Sequence, residues 1–222
     1  MDYYKPIGKT TLELVNEIKE EKKLEKITFT GRLDPMAHGK IKVYEDILQV
    51  RHDQDKRYQF EIIIGIQTDS DDCLGIIEKT DFNLTKEVVI DKLKEIKIGE
   101  FDQRYHNFSS KIFKKNKSFF KGNINNLSHK VSIYDLKIIK EKEYQLNQLI
   151  DIIIKDINKL NPKYNFRQND IINQWKNLYD NHIIIKSLLI EINVSSGFYI
   201  RQFVRDLQLT LFAFYINRLD FI

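Results

Sequence analysis

The sequence has little cysteine, proline or glycine: its 222 residues include one Cys, three Pro and eight Gly. The single cysteine, Cys73, excludes an internal disulfide and a cysteine-based zinc site. It also indicates a reducing, intracellular setting, whether cytoplasm, nucleus or mitochondrion. No apolar run reaches the roughly 18 residues of a membrane span. The N-terminus lacks the basic and apolar regions of a secretory signal, so we predict a protein that is not secreted.

Acidic residues are absent from positions 103 to 134. That segment holds seven basic residues: Arg104, Lys111, Lys114, Lys115, Lys117, Lys121 and Lys130. The whole chain has a formal charge of +4, so the rest sums to −3. Such a basic segment in a near-neutral chain predicts a local contact with a polyanion. A solvated, lysine-rich loop explains the same composition equally well.

Hydrophobic periodicity predicts both helices and strands. Helices are expected at 10–26 and 84–96, each near a threonine cap, and strands at 57–66, 131–140 and 182–195. Residues 195–215 move to helical spacing, with one apolar face formed by Ile200, Phe203, Val204, Leu207 and Leu211.

Between these elements, 41–48 fits either type, 68–79 is a polar loop leading to a short strand, and 103–130 is irregular. Residues 141–181 are rich in Asn, Gln and Lys, with helical stretches that include Trp175. Helices and strands therefore mix without regular βαβ alternation, which favours the α+β class in a single domain.

Most constellations that carry chemistry are missing. The carboxylates of Asp69, Asp71 and Asp72 do not fit an EF-hand, because Gly75 comes one residue late and Thr80 takes the place of the final glutamate. A solvated polar loop is the favoured interpretation of that segment. The five histidines lack metal-ligand spacing, so no metal site is predicted. Carboxylates beside Cys73 would raise its pKa rather than activate it.

Asp34, in the stretch TGRLDPMAHG (30–39), is the remaining candidate nucleophile or base. A carboxylate can attack carbon covalently if it stays ionised beside a cation. Arg32, Arg201 and Arg205 are candidate cations. By composition alone, however, an aspartate among two glycines and a proline is better explained as a turn residue.

Four segments, taken in order, resemble the TruB family of RNA pseudouridine synthases. They are YKPIGKTTLELVNEIK (4–19), TGRLDPMAHG (30–39), KRYQFEIIIGIQTDSDDCLGII (56–77) and NVSSGFYIRQFVRDLQLTL (193–211). Each is similar to a family motif: KPxGxTS, TGxLDPxAxG, KxY followed by GxxTDTxDxxG, and SxGTYIRxLxxDLG. The SGFYIR wording is most similar to the eukaryotic tRNA branch.

This resemblance implies a pseudouridine synthase catalytic fold, with a mixed or antiparallel central sheet flanked by helices over residues 1–222. It implies isomerisation of uridine to pseudouridine in tRNA, at the T-loop uridine (position 55). The reaction exchanges a C–N for a C–C bond at one uracil, so no cofactor is expected. The expected partner is tRNA, without an obligate protein partner, and the expected state is a monomer.

The resemblance also implies roles for individual residues. Asp34 would be the catalytic aspartate, Arg201 a bidentate partner that keeps it charged in a buried site, and Tyr58 an aromatic surface for the flipped uracil. The implied substrate-binding residues are Lys5, Phe29, Gly31, Arg32, Lys56, Gln103, Lys111 and Tyr199. Taken singly, Tyr58 fits a core strand position and Arg201 a surface cation. Only their combination with Asp34 favours catalysis.

Several positions depart from the family pattern. Phe29 stands where the family has a histidine, and Tyr105 and His106 replace two prolines. Residues 141–181 are expected to be an insertion, and no C-terminal RNA-binding PUA domain is expected. An RNA-binding protein of the same fold without catalysis is the alternative, as is a second synthase family that uses an RLD loop. The latter lacks the KPxGxTS spacing and the YIR block in combination.

Overall fold

The described part of the chain, residues 1–51, 53–108 and 127–222 of a computed structural model, is built around a mixed β-sheet. The strands are β1 (Asp2–Lys5), β2 (Thr28–Thr30), β3 (His38–Tyr44), β4 (Lys56–Ile64), β5 (Ile66–Thr68), β6 (Ile77–Thr80), β7 (Gly99–Arg104), β8 (Ser128–Gln145), β9 (Ile184–Val194) and β10 (Leu211–Phe221). The helices are α1 (Thr11–Glu21), α2 (Lys86–Lys94), α3 (Leu146–Ile157), α4 (Gln168–Asn177) and α5 (Ile200–Asp206), with a 3₁₀ turn at Ile47–Gln49. No helix in these ranges is long and apolar enough to cross a membrane.

The main sheet has the strand order β1-β3-β10-β4-β9-β8-β7, with β2 added beside β3 and β5-β6 forming a separate ribbon. Its pairings are antiparallel except β3 with β10. This confirms the α+β expectation of a mixed, largely antiparallel sheet with helices. The one parallel pairing brings Arg218 opposite Gly39, and so joins the end of the chain to the start of β3.

The central strands are buried on both faces. Because successive side chains of a strand point to opposite sides of the sheet, each strand contributes to two cores. In β10, Leu211 and Ala213 join a core with α1, α2 and α5, while Phe212 and Phe214 join a second core with α3 and α4. Two apolar layers thus sandwich the sheet, and the loops at its edges are left to carry polar groups.

Helix α1 begins where the threonine cap predicts. Thr10 accepts from the backbone N–H of Glu13, and the Glu13 carboxylate accepts from the backbone N–H of Thr10, which forms a complete capping box. Helix α2 also follows a threonine, Thr85, although the Thr85 side chain makes no capping hydrogen bond. Both helix predictions are confirmed, with ends a few residues shorter than expected.

The prediction of helical structure over 195–215 is wrong beyond Asp206. Helix α5 ends there, Gln208 takes a left-handed φ of 58°, and Leu211–Phe221 forms β10. The error has a physical cause, since a strand covered on both faces is a continuous apolar run without alternation. Of residues 41–48, ambiguous in sequence, the first four belong to strand β3 and the last two to the 3₁₀ turn.

The segment 103–130 is not irregular at its ends, because β7 reaches Arg104 and β8 begins at Ser128. Strand β8 continues to Gln145, so the first residues of 141–181 belong to the sheet. The rest of that segment forms α3 and α4, and Trp175 in α4 is fully buried, donating from its indole N–H to the Cys73 carbonyl at 3.1 Å. Residues 141–181 are therefore part of the second core. That they are an insertion stays a prediction.

Candidate active site

The loop that carries Asp34 lies between β2 and β3, and the side chains of Thr11 and Lys5 form hydrogen bonds with its backbone. Thr11, at the start of α1, exchanges hydrogen bonds with the backbone of Leu33, its Oγ1 donating to the carbonyl and accepting from the N–H, each at 3.0 Å. Lys5 Nζ donates to the carbonyls of Pro35 at 3.2 Å and Ala37 at 2.5 Å. The residues on both sides of Asp34, Leu33 and Pro35, are therefore held by hydrogen bonds to their backbone groups.

Lys5 is completely buried, and its third hydrogen bond goes to the carbonyl of Pro6 at 2.9 Å. Burial lowers the pKa of Lys5 to about 7, against the opposing attraction of Asp34. Three carbonyl acceptors are matched only by the three N–H groups of an ammonium. Lys5 thus braces the Asp34 loop, and its contact with substrate stays a prediction.

Arg201 reaches Asp34 from α5. Its Nε donates to Asp34 Oδ2 at 2.9 Å, while Nη1 donates to the Ser70 carbonyl at 3.0 Å and Nη2 to the Phe108 carbonyl at 3.4 Å. The expected bidentate pair is therefore wrong, since the other guanidinium nitrogens are used by backbone carbonyls. Asp34 is also not buried: 40% of its side-chain surface is exposed, against 7% for Arg201. The Asp34 carboxylate is therefore accessible to solvent, whereas Arg201 is buried and held by three hydrogen bonds.

A second carboxylate, that of Asp72, faces the same arginine. Asp72 Oδ2 lies 3.7 Å from Arg201 Nε, and Asp72 Oδ1 accepts from Ser70 Oγ at 2.7 Å and Leu74 N–H at 2.9 Å. Burial raises the pKa of Asp72, and the Arg201 charge opposes this shift. Burial would lower the pKa of Arg201, yet Asp34 and then Asp72 outweigh it and raise that pKa above its ordinary value.

The interpretation of 68–72 as a solvated loop is consequently wrong at its centre. Ser70, Asp71 and Asp72 are each at most 5% exposed. Asp71 accepts from Arg205 Nε at 2.5 Å and lies 2.8 Å from His106 Nε2. Because the His106 Nδ1 accepts from the Phe108 backbone N–H, Nε2 carries the proton that goes to Asp71. His106, where the family has a proline, thus ties the segment before residue 109 to the carboxylate loop.

Tyr58 projects from β4, where it is 6% exposed, and its hydroxyl accepts from Arg218 Nε at 3.1 Å. Arg218, only 1% exposed, also donates to the carbonyls of Gly31 at 2.6 Å and Arg32 at 3.3 Å. One guanidinium therefore joins Tyr58 to the loop that carries Asp34. Stacking of Tyr58 on a uracil stays a prediction, since its ring is packed in this conformation.

Gly31 is required by this arrangement for two reasons. Its φ is +69°, in the left-handed region that favours glycine. A Cβ added there would also overlap the Arg218 guanidinium and lie 3.0 Å from the ring of Phe221. Gly31 thus serves as the close-approach point for Arg218, while its predicted contact with substrate stays a prediction.

The other predicted contacts are distributed around this centre. Arg32 is exposed, and its guanidinium carbon lies 5.8 Å from the centroid of the Phe29 ring on β2. Lys56 on β4 donates to the Gln54 carbonyl at 2.6 Å and Ser196 Oγ at 3.3 Å. Burial, and then the charge of Arg218, lower the pKa of Lys56 to about 8.

Gln103 is fully buried and clamps the backbone of Tyr199, accepting from its N–H at 2.9 Å and donating to its carbonyl at 3.1 Å. Both polar atoms of the amide are therefore engaged in positioning the start of α5, the helix of Arg201. Contact of Gln103 or Tyr199 with RNA stays a prediction. Lys111, and with it most of the basic segment, lies outside the described residues.

Two of the residues that complete the site were missed in the sequence. Arg218 stands alone as a cation inside the apolar run of β10, an isolated charge that is a usable signal for a buried polar role. Asp72 lies in a segment whose sequence predicts a solvated polar loop. Cys73 beside it is buried, and burial followed by the Asp72 charge raises its thiol pKa, as predicted. Within the described ranges, no group of three His, Cys, Asp or Glu side chains could hold a metal ion.

Comparison with known proteins finds a family model that matches more than half of the chain. The model described as TruB family pseudouridylate synthase (N terminal domain) matches residues 19–154. The chain is similar to "tRNA pseudouridine synthase B" of Thermosipho melanesiensis, with 29% identity over 119 residues, which are 51% of this chain and 39% of that protein. The same protein of Aquifex aeolicus is 32% identical over 152 residues, 65% of this chain and 50% of that protein.

The chain thus spans half or less of the length of these relatives. Among solved structures, it resembles a chain of a Cbf5-Nop10-Gar1 complex with a TM-score of 0.54 and 16% identity, covering 98% of this chain and 47% of that one. It also resembles a chain from an H/ACA RNP bound to a substrate RNA containing 2′-deoxyuridine, with a TM-score of 0.52 and 16% identity, covering 97% and 44%. At that identity, these two likenesses establish the fold alone.

Proposed function

Because the chain belongs to the TruB family of pseudouridylate synthases, we propose that it isomerises uridine to pseudouridine in tRNA. The finer proposal is that its substrate is the T-loop uridine at position 55. The relatives named tRNA pseudouridine synthase B support tRNA as the substrate class. The single observation that carries the catalytic proposal is the half-open Asp34 carboxylate, 2.9 Å from the buried guanidinium of Arg201.

The isomerisation breaks the bond from ribose C1′ to uracil N1 and forms a bond from C1′ to uracil C5. The proton on C5 is lost and N1 gains one, so electrons balance without an oxidant or reductant. The target base is inaccessible in a stacked loop, and we propose that it is flipped out to meet Asp34. Asp34 then attacks the nucleotide as a carboxylate nucleophile, with Arg201 stabilising its ionised form.

We propose that the protein acts on tRNA without an obligate protein partner. One structural neighbour belongs to a complex of Cbf5 with Nop10 and Gar1, so a protein of this fold can work inside an assembly. We base this proposal on the relatives named tRNA pseudouridine synthase B, which are 29–32% identical to this chain, whereas the member of that complex is 16% identical. A purified monomer that turns over free tRNA would support this.

The function is tested by incubating the purified protein with an unmodified tRNA transcript and mapping pseudouridine along it. We expect conversion at uridine 55 and none in a transcript with cytidine at that position. Conversion at another uridine would overturn the T-loop proposal but keep the reaction. Binding of tRNA without any pseudouridine would instead favour a non-catalytic RNA-binding protein of this fold.

Substituting Arg218 tests whether it positions the site. In Arg218→Lys, one ammonium replaces a guanidinium with donors to Tyr58 and two loop carbonyls, so buried acceptors lose partners. We expect a loss of about 2–3 kcal/mol in the free energy of unfolding, measured in urea. Single-turnover rates should fall by roughly 10- to 100-fold, because small displacements of catalytic groups carry such costs.

The control for Arg218→Lys is Arg57→Lys on β4, an exposed position one residue before Tyr58. It should match the wild type in both stability and rate. A single-turnover rate for Arg218→Lys within threefold of the wild type, after correction for the folded fraction, would contradict a positioning role.

A further inference from the structure

We propose that Phe221, Lys42 and Lys56 form a subsite for a phosphate of the RNA backbone beside the Asp34 loop, hereafter the Phe221 subsite. The proposal rests on the proposed function. It extends that function to Lys42 and Phe221, which lie outside the four segments that resemble the family, and includes Lys56, which lies inside one of them. The observation behind it is that several cations converge on one aromatic ring. Lys42 Nζ, Lys56 Nζ and the Arg218 guanidinium carbon lie 5.2, 6.0 and 5.0 Å from the centroid of Phe221.

These cations make no close ion pair, although Asp2 lies opposite Lys42 in the register of β1 and β3. Among the residues that the structure describes, no carboxylate oxygen lies within the 4.0 Å ion-pair distance of Lys42, Lys56 or Arg218. Asp53 and Asp55 act on Lys56 only more weakly than burial and Arg218, which together lower its pKa. Like charges held together without a close ion pair leave a field that attracts an anion.

The Phe221 ring explains how the cations are held in place. A cation over an aromatic face is attracted by the negative face of the ring, a contact that does not cancel its charge. Phe221 is opposite Lys56 in the register of β4 and β10, and Lys42 is opposite Thr30 in that of β2 and β3. Sheet pairing therefore fixes the stems of both lysines. A cation positioned beforehand loses less side-chain entropy when it binds a phosphate.

The subsite is contiguous with the Asp34 loop. The ring of Phe221 lies against Gly31, and Arg218 bonds the carbonyls of Gly31 and Arg32, three and two residues before Asp34. Arg218 is buried and each of its three guanidinium nitrogens already makes a hydrogen bond, so it contributes charge rather than contact. Lys42 is partly exposed and is the residue expected to touch the RNA.

The chain offers a matched control, because Lys40 lies two residues from Lys42 on the same face of β3 and is similarly exposed. Lys40 differs in having a carboxylate partner, Asp220, at 3.2 Å. Substituting either lysine by glutamine removes one positive charge from the same surface. Only Lys42→Gln removes a charge from the Phe221 subsite.

The test measures the Kd of unmodified tRNA by fluorescence anisotropy over a range of salt concentrations, with Asp34→Asn in every protein to prevent turnover. Lys42→Gln should raise Kd about five- to tenfold and reduce the slope of log Kd against log salt by roughly 0.7–0.9, the value for one phosphate contact. Lys40→Gln should change Kd less than about twofold. Phe221→Leu, which keeps an apolar side chain, should raise Kd about threefold by releasing the lysines.

Equal effects of Lys42→Gln and Lys40→Gln would overturn the subsite, as would an unchanged salt slope in Lys42→Gln. Thermal unfolding of each variant shows that the comparison is made between folded proteins, and Lys42→Gln should melt like the wild type. Failure of the proposed function is recognised separately. A wild type that binds tRNA in the Lys42-dependent manner but forms no pseudouridine would overturn catalysis and leave the subsite standing.

Discussion

Replacing Asp34 with asparagine should lower pseudouridine formation by at least about 10⁴-fold, the scale of losing a nucleophile that acts within a catalytic unit. The amide keeps the size of the side chain, and its oxygen can still accept from Arg201 Nε. It has no ionised oxygen to attack the nucleotide. The change can be followed by release of tritium from tRNA labelled at uracil C5, because forming the new C–C bond expels the C5 hydrogen.

The Asp34→Asn variant should remain folded and should bind tRNA. Arg201 keeps its hydrogen bonds to the carbonyls of Ser70 and Phe108, and its attraction to Asp72 persists. Since Asp34 is 40% exposed, the lost ion pair is partly screened by water. We expect an unfolding free energy within about 1 kcal/mol of the wild type and a tRNA Kd within threefold. Tritium release within tenfold of wild type would contradict a nucleophilic Asp34.

How far the site can be predicted from the sequence depends on whether its contacts are local or long-range. The Asp34 loop is a local motif, and its glycines and proline mark it in sequence. The strand of Tyr58 shows β-branched periodicity, and α1 shows its cap. These were predicted because nearest neighbours along the chain decide them.

The contacts that were missed join distant parts of the chain. The bond from Arg218 to the Gly31 carbonyl spans 187 residues, and no local pattern encodes it. Strand β10, which carries Arg218, was mistaken for helix because burial on both faces removes its alternation. The burial of Asp72 was not predicted, because a polar loop sequence does not reveal that Arg201 faces Asp72 and Arg205 pairs with the neighbouring Asp71. The bidentate Asp34–Arg201 pair failed for a related reason, since backbone carbonyls compete for the guanidinium.

Substituting Arg201 by methionine should damage both stability and catalysis. The change leaves the buried Asp72 carboxylate and the carbonyls of Ser70 and Phe108 without their cation. Breaking such a buried arrangement costs about 3–5 kcal/mol in the free energy of unfolding. Turnover per folded molecule should fall by about 10³-fold, because an oriented charge beside the reacting carboxylate is lost. Urea denaturation and single-turnover tritium release measure the two effects.

Arg205→Met separates the catalytic part of this result from the structural part. Arg205 lies one turn along α5, pairs with the buried Asp71, and makes no contact with Asp34. Its loss should destabilise the fold by a comparable amount, about 3 kcal/mol. Turnover per folded molecule should nevertheless stay within about tenfold of the wild type, since Asp34 and its cation remain in place. If Arg201→Met and Arg205→Met lose equal turnover at equal folded fraction, Arg201 supports the fold only, and the cation that keeps Asp34 ionised must be sought elsewhere in the loop.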